Sequence, residues 1–219
     1  MRSEKIRKLV TLAMLSALAY ILMVFIRIPV VLFLKYEPKD VIIAIGGFLY
    51  GPLSAMAMSV VVALVEMVTV SDTGIYGAIM NALSSCTFAC TAAFIYKKWR
   101  TLPGAATGLV SGIIITVPVM LLWNYLIVPL YTVYITREAV VPMLLSVFLP
   151  FNLIKYGLSS AITMLLYKPI RIGLSKSNLL PVSPAPGTKT AKLNVGVIVI
   201  SAFVIITCVL LILTLQGII

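Results

Sequence analysis

Residues 41–70 read VIIAIGGFLYGPLSAMAMSVVVALVEMVTV, and this stretch decides the fold. It is almost free of charge and too long for one membrane-spanning helix, which needs about 20 apolar residues. Gly51 and Pro52 lie where a turn is required, because glycine commonly ends a helix and proline commonly begins one. We therefore expect a short helix up to about Tyr50 and another from Leu53 to the end of the stretch.

The rest of the chain has the same apolar character. Of its 219 residues, 62% are hydrophobic and 11% are charged, and the mean hydropathy is +1.16. A soluble domain has about half apolar and a quarter charged residues. Further apolar runs predict helices at about residues 9–26, 78–96, 103–127, 144–167 and 195–215. These observations predict an all-α integral membrane protein with a six-helix core and a seventh C-terminal transmembrane helix.

The chain divides into three parts. Residues 1–171 hold the predicted six-helix membrane domain, and the outer loop at 29–38 and another at 128–142 separate some of its helices. Residues 172–193 are rich in proline, serine, threonine and lysine without apolar periodicity, which indicates a flexible linker. Residues 194–219 form the extra transmembrane helix.

The basic residues indicate topology. The chain has 17 Lys and Arg against 6 Asp and Glu, a formal charge of +11. Cytoplasmic loops concentrate Lys and Arg, and here the N-terminus, residues 97–100, residues 168–171 and the predicted linker fall on one side. We therefore expect a cytoplasmic N-terminus and linker and a bilayer environment, and no nucleic-acid partner.

Several catalytic classes are excluded or disfavoured. Without histidine, the chain cannot build a Ser/His/Asp triad or a histidine-ligated zinc site. A phosphate loop of the form G-x-x-x-x-G-K-S/T is absent as well. We expect no catalytic residue and no metal site, and the three cysteines are expected to pack between helices. A small intramembrane enzyme that uses Glu66, Asp72 and Lys155 remains an alternative.

A few polar residues lie at membrane depth, where a charged group costs about 2.5 to 3.5 kcal/mol at a helix centre. They all fall toward the predicted outer side: Glu66, Asn81, Asn124, Asn152 and Lys155. Asparagine amides can pair with the amide and imide edges of a planar heterocycle. The sequence therefore predicts a ligand pocket that opens outward, with Trp123, Tyr125, Phe148 and Phe151 as aromatic walls.

An alternative explanation of these polar residues is purely structural. The asparagines would then bond between helices, and Lys155 would pair with Glu66. On the first helix, Ala13 and Ala17 form a stripe of small residues beside Ser16. Such a stripe lets another helix approach closely, either within the bundle or from a partner.

Several spaced motifs carry a resemblance to a known family: LKYEPKD at 34–40, GGF at 46–48, YGPL at 50–53, SDTG at 71–74, LWNY at 122–125 and LPFNLIK at 149–155. Together they resemble the riboflavin-specific substrate-binding subunits, or S components, of energy-coupling factor (ECF) vitamin transporters. The resemblance covers about residues 5–171.

The resemblance implies a bacterial cell-membrane subunit that captures riboflavin, or flavin mononucleotide (FMN), as its transported ligand and holds no resident cofactor. An S component for another vitamin is the nearest alternative. The resemblance places the pocket at Leu34, Lys35, Tyr36, Asn81, Asn124, Asn152 and Lys155. It also implies that a coupling subunit (EcfT), associated with two ATPase subunits, docks on Ala13 and Ala17. The seventh helix exceeds the family plan, and docking requires that it leave the first helix uncovered.

Overall fold

The computed structural model describes residues 2–32, 34–70, 74–131, 136–177, 179 and 195–218, which are almost entirely helical, as predicted. The helices are α1 (Arg2–Phe25), α2 (Lys39–Tyr50), α3 (Pro52–Thr69), α4 (Gly74–Lys98), α5 (Leu102–Tyr131), α6 (Arg137–Met143), α7 (Leu149–Lys176) and α8 (Val195–Leu215). Within the described ranges, six helical segments are long and apolar enough to cross a membrane.

The predicted break inside the apolar stretch is confirmed. Gly51 has φ 94° and ψ 173°, in a backbone region that favours glycine, and its N–H donates to the carbonyl of Gly47 at 2.7 Å. Pro52 is the first residue of α3, where its missing N–H and fixed φ fit a helix start.

Helix α2 is short and lies inside the bundle. Every residue from Lys39 to Phe48 is buried, and α2 packs against α1, α3, α4 and α7. Twelve helical residues are about 18 Å long, less than the roughly 30 Å of a bilayer core. Because α2 is enclosed by protein, it is apolar nearly all round, and its charged first turn meets side chains from neighbouring elements.

The predicted outer loop at residues 29–38 contains a β-hairpin that sequence analysis missed. Strands β1 (Ile28–Val31) and β2 (Leu34–Tyr36) pair antiparallel, with Ile28 opposite Tyr36. The strands are too short to show a recognisable alternation of apolar and polar residues, and Pro29 in β1 argues against a strand interior. Proline is tolerated here because this ribbon has only two strands, so β1 is an edge.

The predicted loop at residues 128–142 is largely helical, so that prediction was wrong. Helix α5 continues to Tyr131, and α6 begins at Arg137 after Thr136, whose side chain accepts a bond from the N–H of Ala139. Residues 132–135 lie outside the described part. A π-helical turn (Leu144–Phe148) joins α6 to α7. Hydropathy alone misses these elements because α5 continues through Pro129, which commonly ends a helix, and because α6 is short and begins at a polar cap.

The end of the core domain also differs from the prediction. Helix α7 runs to Lys176, past the predicted boundary at residue 171, so the beginning of the predicted linker is helical. Residues 180–194, most of that linker, lie outside the described part. Helix α8 coincides with the predicted seventh helix and packs along α7 and against β1.

Candidate functional site

A buried ion network ties five elements together at the end of the bundle that carries the hairpin. It consists of Arg27, Glu37, Lys39, Glu66 and Asn81, and we call it the outer ion network. The ammonium of Lys39 lies 2.7 Å from Glu37 Oε2 and 2.6 Å from Glu66 Oε2. Arg27 lies 3.2 Å from Glu37 and 3.4 Å from Glu66, and Asn81 Nδ2 donates to Glu66 Oε1 at 2.8 Å.

The chemistry of this network is balanced. Its two carboxylates face two cations, and Lys39 and Glu66 are only 1% and 4% exposed. A buried charge is tolerated only when it is paired and hydrogen-bonded. The residues come from the end of α1, the end of the hairpin, the start of α2, the end of α3 and α4. Any movement that separates these elements must therefore expose or unpair a charge.

A second polar cluster lies next along α2. Asp40 is fully buried, and its carboxylate accepts a hydrogen bond from Ser85 of α4 and lies 3.4 Å from the ammonium of Lys155 on α7. The structural alternative had paired Lys155 with Glu66, and that pairing is wrong. Glu66 is engaged by the outer ion network, whereas Lys155 takes the neighbouring acid. Adjacent residues on α2, Lys39 and Asp40, thus serve two different clusters.

Tyr36, at the end of the hairpin, lies over the second cluster. It is 2% exposed, and burial raises the pKa of its phenol to about 12. Ser159 lowers this pKa and the negative charge of Asp40 raises it, which places both groups near the phenol. By distance and angle, however, neither the Tyr36 nor the Ser159 hydroxyl has a hydrogen-bond partner in the described structure.

Further buried polar atoms around this region lack partners among the described residues. They include Asn124 Oδ1 and Trp123 Nε1 on α5, in addition to the hydroxyls of Tyr36 and Ser159. An unsatisfied buried polar atom costs about 1 to 3 kcal/mol, and proteins leave few of them. These atoms come from the hairpin, α5 and α7, which contribute to one apolar cluster. The arrangement therefore offers several unused donors and acceptors to a bound molecule.

The predicted pocket residues lie in three kinds of environment: the buried apolar cluster, the exposed surface, and polar positions on the helices. Leu34 and Tyr36 are buried in the apolar cluster with Phe148 and Phe151, whereas Lys35 is exposed. The remaining predicted residues lie on helices: Asn81 in the outer ion network, Lys155 beside Asp40, and Asn124 and Asn152 buried on α5 and α7.

The two buried asparagines share a bonding pattern. Asn124 Nδ2 donates to the carbonyl of Met120 at 2.8 Å, and Asn152 Nδ2 donates to that of Phe148 at 2.7 Å. Phe148 is the last residue of the π-helical turn, a feature that often marks functional sites. The amide groups of Asn124 and Asn152 are therefore oriented by their own helices, whereas Asn81 bonds Glu66 of α3, as the structural alternative holds.

Sequence reasoning missed part of the site. In the sequence, Arg27 and Glu37 look like ordinary charged residues of a loop. They meet because they lie at the two ends of the hairpin, which brings its ends together. Ser159 follows Lys155 by one helical turn, so a search of the same helix face was the signal that could have found it. In the alternative enzyme hypothesis, Asp72 lies outside the described residues, and Glu66 and Lys155 belong to separate ion pairs.

One described cavity lies beside the hairpin, with a volume of about 280 Å³. Its lining comes from α1, the hairpin, α2 and α7, and it is apolar except for Tyr36. None of the predicted asparagines lines it, and neither does Lys155. This cavity therefore shares only Tyr36 with the pocket that the sequence predicted.

Comparison with known proteins identifies the class of protein. Residues 7–167 match the family model of the ECF transporter, substrate-specific component. A solved structure of the S component of a bacterial ECF transporter superimposes with a TM-score of 0.66 at 30% identity, covering 78% of this chain and 98% of that chain. The chain belongs to the family of ECF transporter substrate-specific components, and it is a multi-pass membrane protein.

Two characterised relatives are named as riboflavin transporters. The riboflavin transporter RibU of Staphylococcus aureus (strain TCH60) is 29% identical over 171 residues, 74% of this chain and 89% of that protein. The riboflavin transporter FmnP of Bacillus subtilis (strain 168) is 31% identical over 163 residues, 69% of this chain and 85% of that protein. The family match confirms the sequence-based assignment to the ECF S components.

Removing one charge from the outer ion network is expected to destabilise the protein strongly. Glu66→Ala leaves Lys39 and Arg27 with a single carboxylate, and breaking a buried pair costs about 3 to 5 kcal/mol. The measurement is thermal unfolding of the purified protein in detergent. Glu138→Ala, at an exposed position, is the control and should leave the midpoint unchanged. Equal midpoints for both variants would show that the network does not support the fold.

The raised pKa of Tyr36 predicts a loss of stability at alkaline pH. The phenol has an ordinary pKa of 10.0 and about 12 when folded, so its contribution is complete below pH 10 and is lost as pH rises toward 12. Two pKa units correspond to about 3 kcal/mol. Tyr36→Phe should unfold less readily than the parent even at neutral pH, because it removes a buried hydroxyl without a partner, and its advantage should grow between pH 10 and pH 12. Unfolding midpoints measured across the alkaline range test this, and parallel curves would contradict it.

Proposed function

We propose that this chain captures riboflavin, or its phosphate ester FMN, on the outer side of a bacterial cell membrane and presents it to an energising module. The observation that carries the proposal is the group of buried polar atoms on the hairpin, α5 and α7 that have no partner among the described residues, in a chain of the S-component family. The names of the two riboflavin transporters, which align with most of the chain, support the choice of ligand.

The chemistry of the flavin ring suits these atoms. The pyrimidine edge of the flavin presents an N–H donor between two carbonyl acceptors. The ring system is flat, and its opposite end is apolar. Asn124 Oδ1 is an acceptor for the N–H, while the hydroxyls of Tyr36 and Ser159 are donors for carbonyl or ribityl oxygens. Phe148 and Phe151 supply aromatic surface in the same cluster. The bound ring thus supplies partners for buried polar atoms that have none among the described residues.

The Asp40–Lys155 pair gives the site a fixed polar floor. Because its charges lie 3.4 Å apart and are buried, they present dipoles without a net charge. Riboflavin itself is uncharged, so a balanced pair matches it better than a lone lysine does. We assign Leu34, Lys35 and Tyr36 to a lid, and Asn152 and Asn81 to the walls, of this site.

The hairpin is the element through which the ligand enters. Leu34 and Tyr36 are buried against residues of α5, α6 and α7, so they close the region from the hairpin side. The distribution of Lys and Arg supports a cytoplasmic N-terminus, which puts the hairpin outside. A ligand arriving from outside therefore displaces the hairpin first.

Energy for transport comes from partner subunits in this proposal. A coupling subunit (EcfT) docks on α1, and two ATPase subunits act through it. Ala13 and Ala17 are exposed with α8 in place, whereas Ser16 and Ala19 are buried. The exposed alanines lie among exposed apolar residues such as Met14 and support a close helix contact in the bilayer.

Loss of the Asn124 acceptor is expected to weaken flavin binding by at least about tenfold, since one hydrogen bond in a dry site is worth about 1.4 kcal/mol or more. Riboflavin fluorescence quenching is titrated with the purified full chain and with Asn124→Leu. Thr207→Val is the matched control, because Thr207 also bonds a carbonyl one turn back but is exposed on α8.

Two results would overturn the flavin assignment. One is a parent protein that does not quench riboflavin but binds another vitamin. The other is an Asn124→Leu protein, folded by circular dichroism, whose riboflavin affinity equals that of the Thr207→Val control.

Enlarging the alanine stripe is expected to break docking without affecting ligand capture. Ala13→Leu combined with Ala17→Leu adds bulk on the exposed face of α1 and should abolish co-purification with the energising subunits. Ala13→Ser with Ala17→Ser keeps the residues small and should retain the complex. Riboflavin titration of both proteins should give the parent affinity, and a complex that tolerates leucine at both positions would contradict docking here.

A further inference from the structure

Helix α8 presents one narrow buried stripe to the rest of the protein. Its buried residues are Ser201, Cys208 and Ile212, whose spacings of seven and four residues place them on one face. The other faces are exposed, with Phe203 at 70% and Ile206 at 60%. The helix therefore contacts the bundle along a single line and faces lipid elsewhere.

The buried stripe of α8 reaches the hairpin. Cys208 and Ile212 belong to the same buried cluster as Val30, Leu34 and Tyr36, and α8 packs against both α7 and β1. Gly157 on α7 faces Cys208, since a Cβ built there would lie at ordinary contact distance, 3.6 Å, from Cys208 Sγ. Helix α8 thus packs on β1 within the same apolar cluster that buries the lid residues Leu34 and Tyr36.

A polar contact continues the same line. Gln216, just after α8, donates from Nε2 to the carbonyl of Pro29 in β1. Because β1 is an edge strand, this carbonyl has a side open to α8. The end of α8 therefore holds the strand that lies beside the two buried lid residues.

We propose that α8 is a lid clamp, in which Ile212 and Gln216 are positioning residues that hold the hairpin closed over the ligand site. The hairpin cannot lift without losing the apolar contact of Ile212 and the hydrogen bond at Pro29. These contacts exist in the closed arrangement and are absent once the hairpin leaves. The clamp therefore slows ligand release. This inference rests on the proposed function, because it needs a ligand that the hairpin encloses.

The dissociation rate of riboflavin tests the clamp. Full-length protein loaded with riboflavin is mixed with excess competitor, and the recovery of flavin fluorescence gives the rate. Ile212→Ala is expected to release riboflavin about tenfold faster, since changes in one interface act mostly on dissociation. Ile206→Ala makes the same change on the lipid face of α8 and should release it at the parent rate.

Gln216 provides a second, independent measurement at an exposed position, where folding is not at risk. Gln216→Leu removes the donor to Pro29 and should speed release, whereas Gln216→Lys retains a donor and should restore slow release. A merely structural role for α8 would lower the unfolding midpoint of Ile212→Ala. It would leave the riboflavin dissociation rates of the two isoleucine variants and the two Gln216 variants equal to the parent rate. That result would overturn the clamp.

The outcomes separate the two proposals. A parent protein that binds no flavin overturns the proposed function. A parent that binds riboflavin tightly, with release from Ile212→Ala and Gln216→Leu no faster than from Ile206→Ala, overturns the clamp alone. Faster release from Ile212→Ala and Gln216→Leu, with rescue by Gln216→Lys, supports the clamp.

Discussion

The arrangement of the half of this protein that carries the hairpin depends on one buried ion pair, between Lys39 and Glu66. The Lys39 ammonium lies 2.6 Å from the Glu66 carboxylate, and both side chains are almost inaccessible, so water cannot solvate either charge in place of its partner. Lys39 begins α2 and Glu66 lies near the end of α3, so the pair lies at the end of these two packed helices that is opposite the turn at Gly51. The pair closes the end of the α2–α3 hairpin that the turn leaves open. Since α2 is enclosed by other helices, fixing its first turn fixes the position of Asp40 as well.

The position of Asp40 in turn determines the candidate site. The carboxylate draws Lys155 of α7 and Ser85 of α4 toward the start of α2, where Tyr36 covers them. A lysine that would be prohibitively costly alone in the membrane becomes tolerable beside this acid. The site is therefore built from charges that cancel, which leaves amides and hydroxyls as the groups free to discriminate between ligands.

Much of this fold could be predicted from the sequence, and the failures have physical causes. Apolar length predicted the long helices and the turn at Gly51, because burial in lipid dominates the choice of structure there. The hairpin and α6 were missed, since short elements at the membrane surface depend on local pairing and capping, which hydropathy does not record. The polar residues Asn124, Asn152 and Lys155 could be singled out because polarity at membrane depth is conspicuous, and the structure buries all three. The partner of Lys155 was not found, because Glu66 and Asp40 were both plausible acids and only the packing of α2 decides between them.

The hairpin is held in two physically different ways, and this difference suggests how it moves. Arg27 and Glu37 flank the strands and pair with each other at 3.2 Å, so they close the base of the hairpin within the outer ion network. Among the contacts that the structure describes, the strands pack through apolar side chains, and Gln216 donates a hydrogen bond to the carbonyl of Pro29. Apolar contacts can be exchanged for contacts with lipid or ligand at small cost, whereas a separated buried ion pair cannot be compensated in the same way. For the proposed capture of a ligand, these contacts favour the base as the hinge and the two strands, Ile28–Val31 and Leu34–Tyr36, as the part that tilts.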